Sequence, residues 1–389
     1  MLSPPLHIKL FNRKIQSFHF FGITGYILGT SLGVILAIHL NLDPKIVLLM
    51  AGIGAATFFL LAVLAKTITG EETIVYYHHE IAILVICFLA LKLLHLPVLN
   101  YLDITILGIA TFLAFGRIGC FSVGCCHGQP AKNGVVYGHE HVKAGFTFYY
   151  EGVSLFPIQL IESVFVFLLI ITGSILLVQN FPPGTVLILY TVVYGAFRFA
   201  IEFFRGDAER PYRQGLSEAQ WTTLVLVVLS LAPGFAGFIP FYNWHIIVTA
   251  SLLTAAFFVV LRNDTKQKIF SPRHVRQIAC ILSELDNDTN KMKYENPAGS
   301  GINVFQTDLG LCLSKGIFLN EKGLTTHYTV SNINKLQMDY ATVKRLANLI
   351  KIFQKQNAAV RVEEKQYGVF HILFYNPLKS GNKLNSGRL

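Results

Sequence analysis

Charge is what this chain has least of. Only 14% of its 389 residues are Asp, Glu, Lys or Arg, against 53% that are hydrophobic, and the mean hydropathy is +0.51. Such a balance excludes an ordinary soluble globular protein and indicates a polytopic membrane protein. An internal repeat is absent, as is a recognised zinc-binding cysteine spacing. The sequence of polar n-region, short h-region and small-residue cleavage site that makes a signal peptide does not appear at the N-terminus, so the first apolar run is expected to be a retained span.

What is there is a series of apolar runs near 17–40, 45–65, 79–98, 101–121, 157–178, 184–204, 219–238 and 243–261. Each approaches the roughly 20 residues that a spanning helix requires. The expected count is eight, with seven as the alternative, because Pro233, Gly234, Gly237 and Pro240 cluster between the last two runs. The fold class is therefore an all-α polytopic membrane protein of seven to eight transmembrane helices, with a small soluble α+β C-terminal domain.

That second part follows from an abrupt change near residue 262. Residues 262–389 hold 19 Lys and Arg against 10 Asp and Glu, leaving 13 against 12 before them, so the net charge of +10 belongs almost wholly to the tail. The expected division is a transmembrane domain over 1–261 with a head loop at 121–156, a basic linker over 262–299, an α+β domain over 300–377 and a flexible tail over 378–389. Strand-like runs at 302–320 and 360–376 flank a helical period at 341–356. Lys344, Arg345, Lys351 and Lys355 are read as the solvated face of that helix and not as a nucleic-acid surface.

Within the sixth run, Arg198, Glu202 and Arg205 stand at i, i+4 and i+7, which places two guanidiniums and a carboxylate on one face of a helix. Ionisable side chains at membrane depth are costly and mark functional sites by default. Paired guanidiniums suit a phosphate or carboxylate; a structural ion pair with Arg205 reaching the interface is the competing reading. Arg117, at the end of the fourth run, would complete a set of three around one anion. Cys120, Cys125 and Cys126 lie within seven residues of one another, followed by His127. Soft ligands suit zinc or copper(I), but adjacent cysteines rarely share one ion, so no metal or cofactor is expected. A reactive thiol is the alternative, since neighbouring arginine favours thiolate.

The run GRIGCFSVGCCHG at 116–128 resembles the signature of the prolipoprotein diacylglyceryl transferase family, whose usual form is GRIGNFxNGExxG. PIQLIE at 157–162, YGAFRFAIEFFR at 194–205, Gly215, Leu216, Ser217 and Gln220, and HFFG at 19–22 extend the similarity. The resemblance implies a seven-helix enzyme of the inner (plasma) membrane. Such an enzyme moves the diacylglyceryl group of phosphatidylglycerol onto a cysteine thiol of a lipoprotein precursor and releases glycerol phosphate. It also implies site residues: His78 as base with Arg117 and Arg198 as catalytic groups, and Arg205, Glu202, Glu162, Gln159, Gly116 and Gly119 as substrate-binding positions. Departures stand at Cys120, Val123, Cys125, Phe21 and Phe156, where the family form has Asn, Asn, Glu, Tyr and His. A transferase with another acceptor, or a non-catalytic thiol- or metal-binding protein of the same fold, is the alternative. Orientation is a further open point. Eight spans put the head loop and tail on the same, basic side, which the positive-inside rule makes cytoplasmic; seven put the head outside, the arrangement expected from the family.

Overall fold

The computed structural model describes residues 4–10, 13–70, 76–208, 210–261, 268–292, 303–320, 323–333, 338–355 and 358–377. The expected flexible tail at 378–389 and the start of the expected linker, including Arg262 and Lys266, lie outside the described residues.

A hairpin of β1 (His7–Leu10) and β2 (Arg13–Gln16) leads into α1 (Ser17–His39), followed by α2 (Pro44–Thr69), α3 (Tyr76–Leu93) and α4 (Val98–Val123). The head holds β3 (Pro130–Val136), the short helix α5 (His139–Lys143) and β4 (Ser154–Leu155). Four further long helices follow: α6 (Ile158–Val178), α7 (Thr185–Ile201), α8 (Glu218–Phe235) and α9 (Asn243–Leu261). Between α7 and α8 lies the hairpin of β5 (Tyr212–Arg213) and β6 (Leu216–Ser217). Eight helices among the described residues are long and apolar enough to cross a membrane, including the two separated by the Pro and Gly cluster. This is a multi-pass membrane protein. Ile23, Ile35, Leu60, Val63, Leu229 and Phe257 are exposed along the helices, as lipid-facing side chains are.

Small residues set the closest helix pair. A Cβ on Gly29 of α1 would stand 2.7 Å from the carbonyl oxygen of Gly108 on α4, and one on Gly25 would stand 2.8 Å from Phe115 Cβ. The spacing Gly25, Gly29, Gly33 is the small-residue stripe by which membrane helices approach without a hydrophobic driving force. At the opposite end of the bundle, the buried Asp103 of α4 accepts hydrogen bonds from the backbone N–H of Gly184 (2.6 Å) and Leu187 (2.7 Å). It thereby caps the free N–H groups that open α7.

An even number of spans returns the chain to the side from which it set out. The β1–β2 hairpin, the head, the α7–α8 connection and the residues described after α9 lie at one end, and the tight turns at 40–43, 94–97, 179–184 and 236–242 lie at the other. The C-terminal domain accordingly packs on the head. Tyr150 of the head stacks on Phe353 (centroids 5.9 Å apart), and Ile352 and Phe353 join the head core of Val135, Tyr137, Phe146, Tyr150, Val153 and Leu155. The head and C-terminal domain thus share a side, unlike the seven-span arrangement expected from the family.

The C-terminal domain is a five-stranded antiparallel sheet, order β10-β11-β9-β8-β7, formed by β7 (Phe305–Gln306), β8 (Leu311–Asn320), β9 (Gly323–Asn332), β10 (Ala359–Gln366) and β11 (Val369–Pro377). Two helices cover one face, α10 (Pro272–Met292) and α11 (Tyr340–Phe353). α10 runs through the stretch expected as a basic linker. Ile278, Ile281, Leu282 and Leu285 recur at helical spacing and are buried against Leu311, Leu313, Tyr328 and Phe374 of the sheet. Arg273 and Arg276 of that stretch are exposed, on the polar face of an amphipathic helix.

Candidate active site

The arginines meet where three spanning helices end at the head. Arg117 stands in the last two turns of α4, Glu162 in the second turn of α6, and Arg198 in the last turn of α7. Arg117 Nε lies 2.9 Å from Glu162 Oε2, which is also 3.7 Å from Arg198 Nη1. Arg198 Nη2 reaches Glu202 Oε2 at 3.0 Å, and Tyr194 donates its hydroxyl hydrogen to Glu162 Oε1 at 2.9 Å. Glu162 is fully buried, and Arg117, Arg198, Glu202 and Arg205 are 1–5% exposed.

Arg205 departs from the expected helix face. The α-helix stops at Ile201, a tighter 3-10 turn holds Glu202–Phe204, and Arg205 follows in extended backbone. The extended segment pairs with the head: Arg205 bridges to Gly128, Gly206 N–H donates to His127 O (3.0 Å), and Gln129 N–H donates to Phe204 O (3.0 Å). Arg205 is nevertheless delivered to the cluster, where its Nε and Nη2 bind Asp207 at 2.8 and 3.0 Å. Arg210 bridges Asp207 (2.6 Å) and Glu202. Burial alone would raise the Asp207 carboxyl, but Arg205 and Arg210 beside it hold it below the usual carboxylate range.

Four guanidiniums here face three carboxylates, Glu162, Glu202 and Asp207, which leaves one net positive charge. Nη1 of the buried Arg205 has no hydrogen-bond partner among the described residues. A buried donor left unsatisfied is costly and points to a ligand. An anion fits both features.

The cysteine run borders this cluster. Gly124, with φ +85°, closes α4 by donating its N–H to Cys120 O, and Cys126 also takes positive φ (+53°). Gly124 suits that left-handed cap because it has no Cβ to clash. The tight turn folds Cys125 and Cys126 back on Cys120, and the three Sγ atoms lie within 4.8 Å of one another. Gln159 Nε2 holds the Cys125 carbonyl at 2.8 Å. His127 is buried beside Tyr150 and Phe146, and burial lowers its imidazole below the ordinary range although its Nδ1 contacts Gly128 O.

The remaining sequence candidates separate. His78 is not among the groups that bind the arginines: its Nε2 meets Glu218 at the start of α8 (2.9 Å), and 56% of its side chain is exposed. Gly119 abuts Phe18, so it serves the packing of α1 on α4, while a Cβ on Gly116 would meet open space. Ser217 and Gln220 form a capping box on α8, and Gln220 also donates to Phe199 O on α7. Tyr194, Asp207 and Arg210 were missed. The signal for the last two was local, an acid two residues and a base five residues beyond Arg205.

The sequence model of the family described as prolipoprotein diacylglyceryl transferase matches residues 7–235. The chain belongs to this family. Among its relatives, a protein of Clostridium tetani named phosphatidylglycerol-prolipoprotein diacylglyceryl transferase is 34% identical over 136 residues, 34% of this chain and 52% of the relative. A protein of the same name from Dehalococcoides mccartyi strain 195 is 32% identical over 132 residues, 33% of this chain and 48% of the relative. The second such transferase of Clostridium perfringens is 33% identical over 115 residues, 28% of this chain and 41% of the relative. The chain thus spans about half the length of the curated relatives it matches. The prolipoprotein diacylglyceryl transferase match takes in every member of the arginine and thiol clusters and stops before the C-terminal domain.

Proposed function

We propose that this protein is a transferase of the inner (plasma) membrane that moves the diacylglyceryl group of phosphatidylglycerol to the cysteine thiol of a prolipoprotein. The observation that carries this reading is the buried guanidinium cluster, with its net positive charge and the unpartnered Nη1 of Arg205. Arg117, Arg198 and Arg205 hold the lipid phosphate, with Glu162 and Glu202 fixing the guanidiniums and Gln159 fixing the adjoining turn. The acceptor sulfur forms a bond to the terminal glyceryl carbon as that carbon's bond to the phosphate oxygen breaks. The electron pair leaves on the phosphate, where fixed positive charge stabilises it in a water-poor site. The thiol's proton passes to a base; His78, oriented by Glu218, is the histidine assigned to that task.

The test is transfer of labelled diacylglyceryl from phosphatidylglycerol micelles to a lipobox peptide by the purified protein. Transfer that disappears in Arg198→Ala supports the reading; equal transfer by Arg117→Ala, Arg198→Ala and the unmodified protein removes the phosphate site. His78→Asn should lower transfer without lowering lipid binding.

A second reading, transfer to an acceptor on the cytoplasmic side, is favoured by one observation. The head shares its end of the bundle with the basic hairpin and the C-terminal domain, and basic ends face the cytoplasm. Cysteine placed at the exposed Tyr367 and probed with a membrane-impermeant thiol reagent decides it: labelling in intact cells supports the outer face, and labelling only after permeabilisation supports the cytoplasmic acceptor.

A further inference from the structure

We infer that Cys120, Cys125 and Cys126 form a three-thiolate Zn2+ site whose fourth position takes an exchangeable ligand. The geometry carries the inference. All three Sγ atoms lie within 4.8 Å of one another. Tetrahedral coordination with Zn–S bonds of about 2.3 Å needs sulfurs about 3.8 Å apart, a difference that side-chain rotation can close.

The turn that gathers them is held at both ends. The Gly124 cap fixes it to α4, Gln159 of α6 binds the Cys125 carbonyl at 2.8 Å, and Gly206 N–H binds the His127 carbonyl at 3.0 Å. Two residues of the turn, Gly124 at φ +85° and Cys126 at φ +53°, flank Cys125 in left-handed backbone, which L residues rarely take. Such a turn places side chains from positions 120, 125 and 126 over one point, as the run alone did not indicate. All three cysteines are free of disulfides, and Cys125 is exposed, which leaves an approach for a fourth ligand.

Charge selects the ion. Each thiol gives its proton to solvent on binding, so Zn2+ with three thiolates carries one net negative charge. The adjoining arginine cluster carries one net positive charge. Zn2+ thus leaves a single negative charge beside the guanidiniums, whereas Cu+ with the same three thiolates would leave two.

The experiment uses the full chain, purified in detergent under reductant and dialysed against ZnCl2. Elemental analysis should find one Zn2+ per chain, and Co2+ in its place should give thiolate-to-metal absorption bands. The Cys120→Ser/Cys125→Ser/Cys126→Ser variant should lose the ion and the bands, and Cys280→Ser should keep both. Zn2+ should also protect three thiols of the unmodified protein from alkylation, a readout independent of whether the variant folds. No saturable Zn2+ in the unmodified protein, an unchanged content in the triple variant, or retention of Cu+ in preference to Zn2+ would overturn the assignment. None of these readouts depends on diacylglyceryl transfer.

Discussion

The membrane bundle buries Arg117, Arg198, Arg205, Glu162 and Glu202 within a few side chains of one another, whereas the buried polar residues described in the C-terminal domain are His274 and five serines and threonines. In the domain, the buried polar residues other than His274 are uncharged hydroxyl side chains. His274 sits between Ile269 O (2.7 Å) and Thr307 Oγ1 (2.7 Å), and the remainder of the interior is aliphatic and aromatic. In the bundle, taking charges out of water costs several kcal/mol per ion, and mutual pairing seldom does better than an apolar replacement would. Stability therefore accounts for the domain's interior and does not account for the bundle's charged layer. The polar layer is where chemistry is to be sought.

The contrast can be broken most decisively at Arg198. Replacing it by Ala should lower transfer by about a thousandfold, the scale of a lost transition-state donor; unchanged initial rates would return the layer to a structural role. Glu162→Ala comes next, because it strands two guanidiniums in a buried site. We expect a loss of about 4 kcal/mol in bundle stability, read as a lowered thermal midpoint in detergent, and a midpoint equal to the parent's would show that solvent or lipid compensates the arginines. In the domain, Leu346→Ala removes a fully buried side chain from the α11 face. It should cost about 3 kcal/mol in local hydrogen-exchange stability while transfer persists. Loss of transfer in step would mean that the domain is coupled to the site through the Tyr150 and Phe353 stack.

The smallest expected effect is with pH. Burial lowers the imidazoles of His274 and His327, the second also through its contact with His371. The unfolded chain then binds more protons than the folded one between those lowered values and about pH 6.5, so domain stability rises with pH through that window. Acidification below about pH 6.5 should loosen the domain. Hydrogen exchange that is flat across the window would remove both histidines from its stability.

Much of this was legible in the residues, for physical reasons that differ by element. Apolar runs give spanning helices wherever length suffices, and the eighth, Asn243–Leu261, forms despite its proline- and glycine-rich approach because Pro233 and Gly237 fall in and after the last turn of α8. The spacing of Arg198 and Glu202 is a true i, i+4 pair. Arg205 was misplaced because apolar periodicity continues through Phe203 and Phe204, although the backbone tightens to pair with the head. Cys120, Cys125 and Cys126 read as a loose run because their convergence depends on left-handed backbone at Gly124 and Cys126.

By itself, then, the sequence determined the class, the spans, the strand and helix periods of the C-terminal domain, and the residues of the family signature. These follow from hydrophobicity and period, which act between near neighbours. Only the tertiary structure decided that Arg117 and Arg198 share Glu162, that Arg210 and Asp207 enclose Arg205, that His78 stands apart with Glu218, and that head and C-terminal domain occupy one end. Apart from the local contacts of Asp207 with Arg205 and Arg210, those relations join residues far apart in the chain: packing of α4, α6 and α7 sets the shared Glu162, packing of α3 beside α8 sets the His78 pair, and the Tyr150 and Phe353 stack joins head to domain.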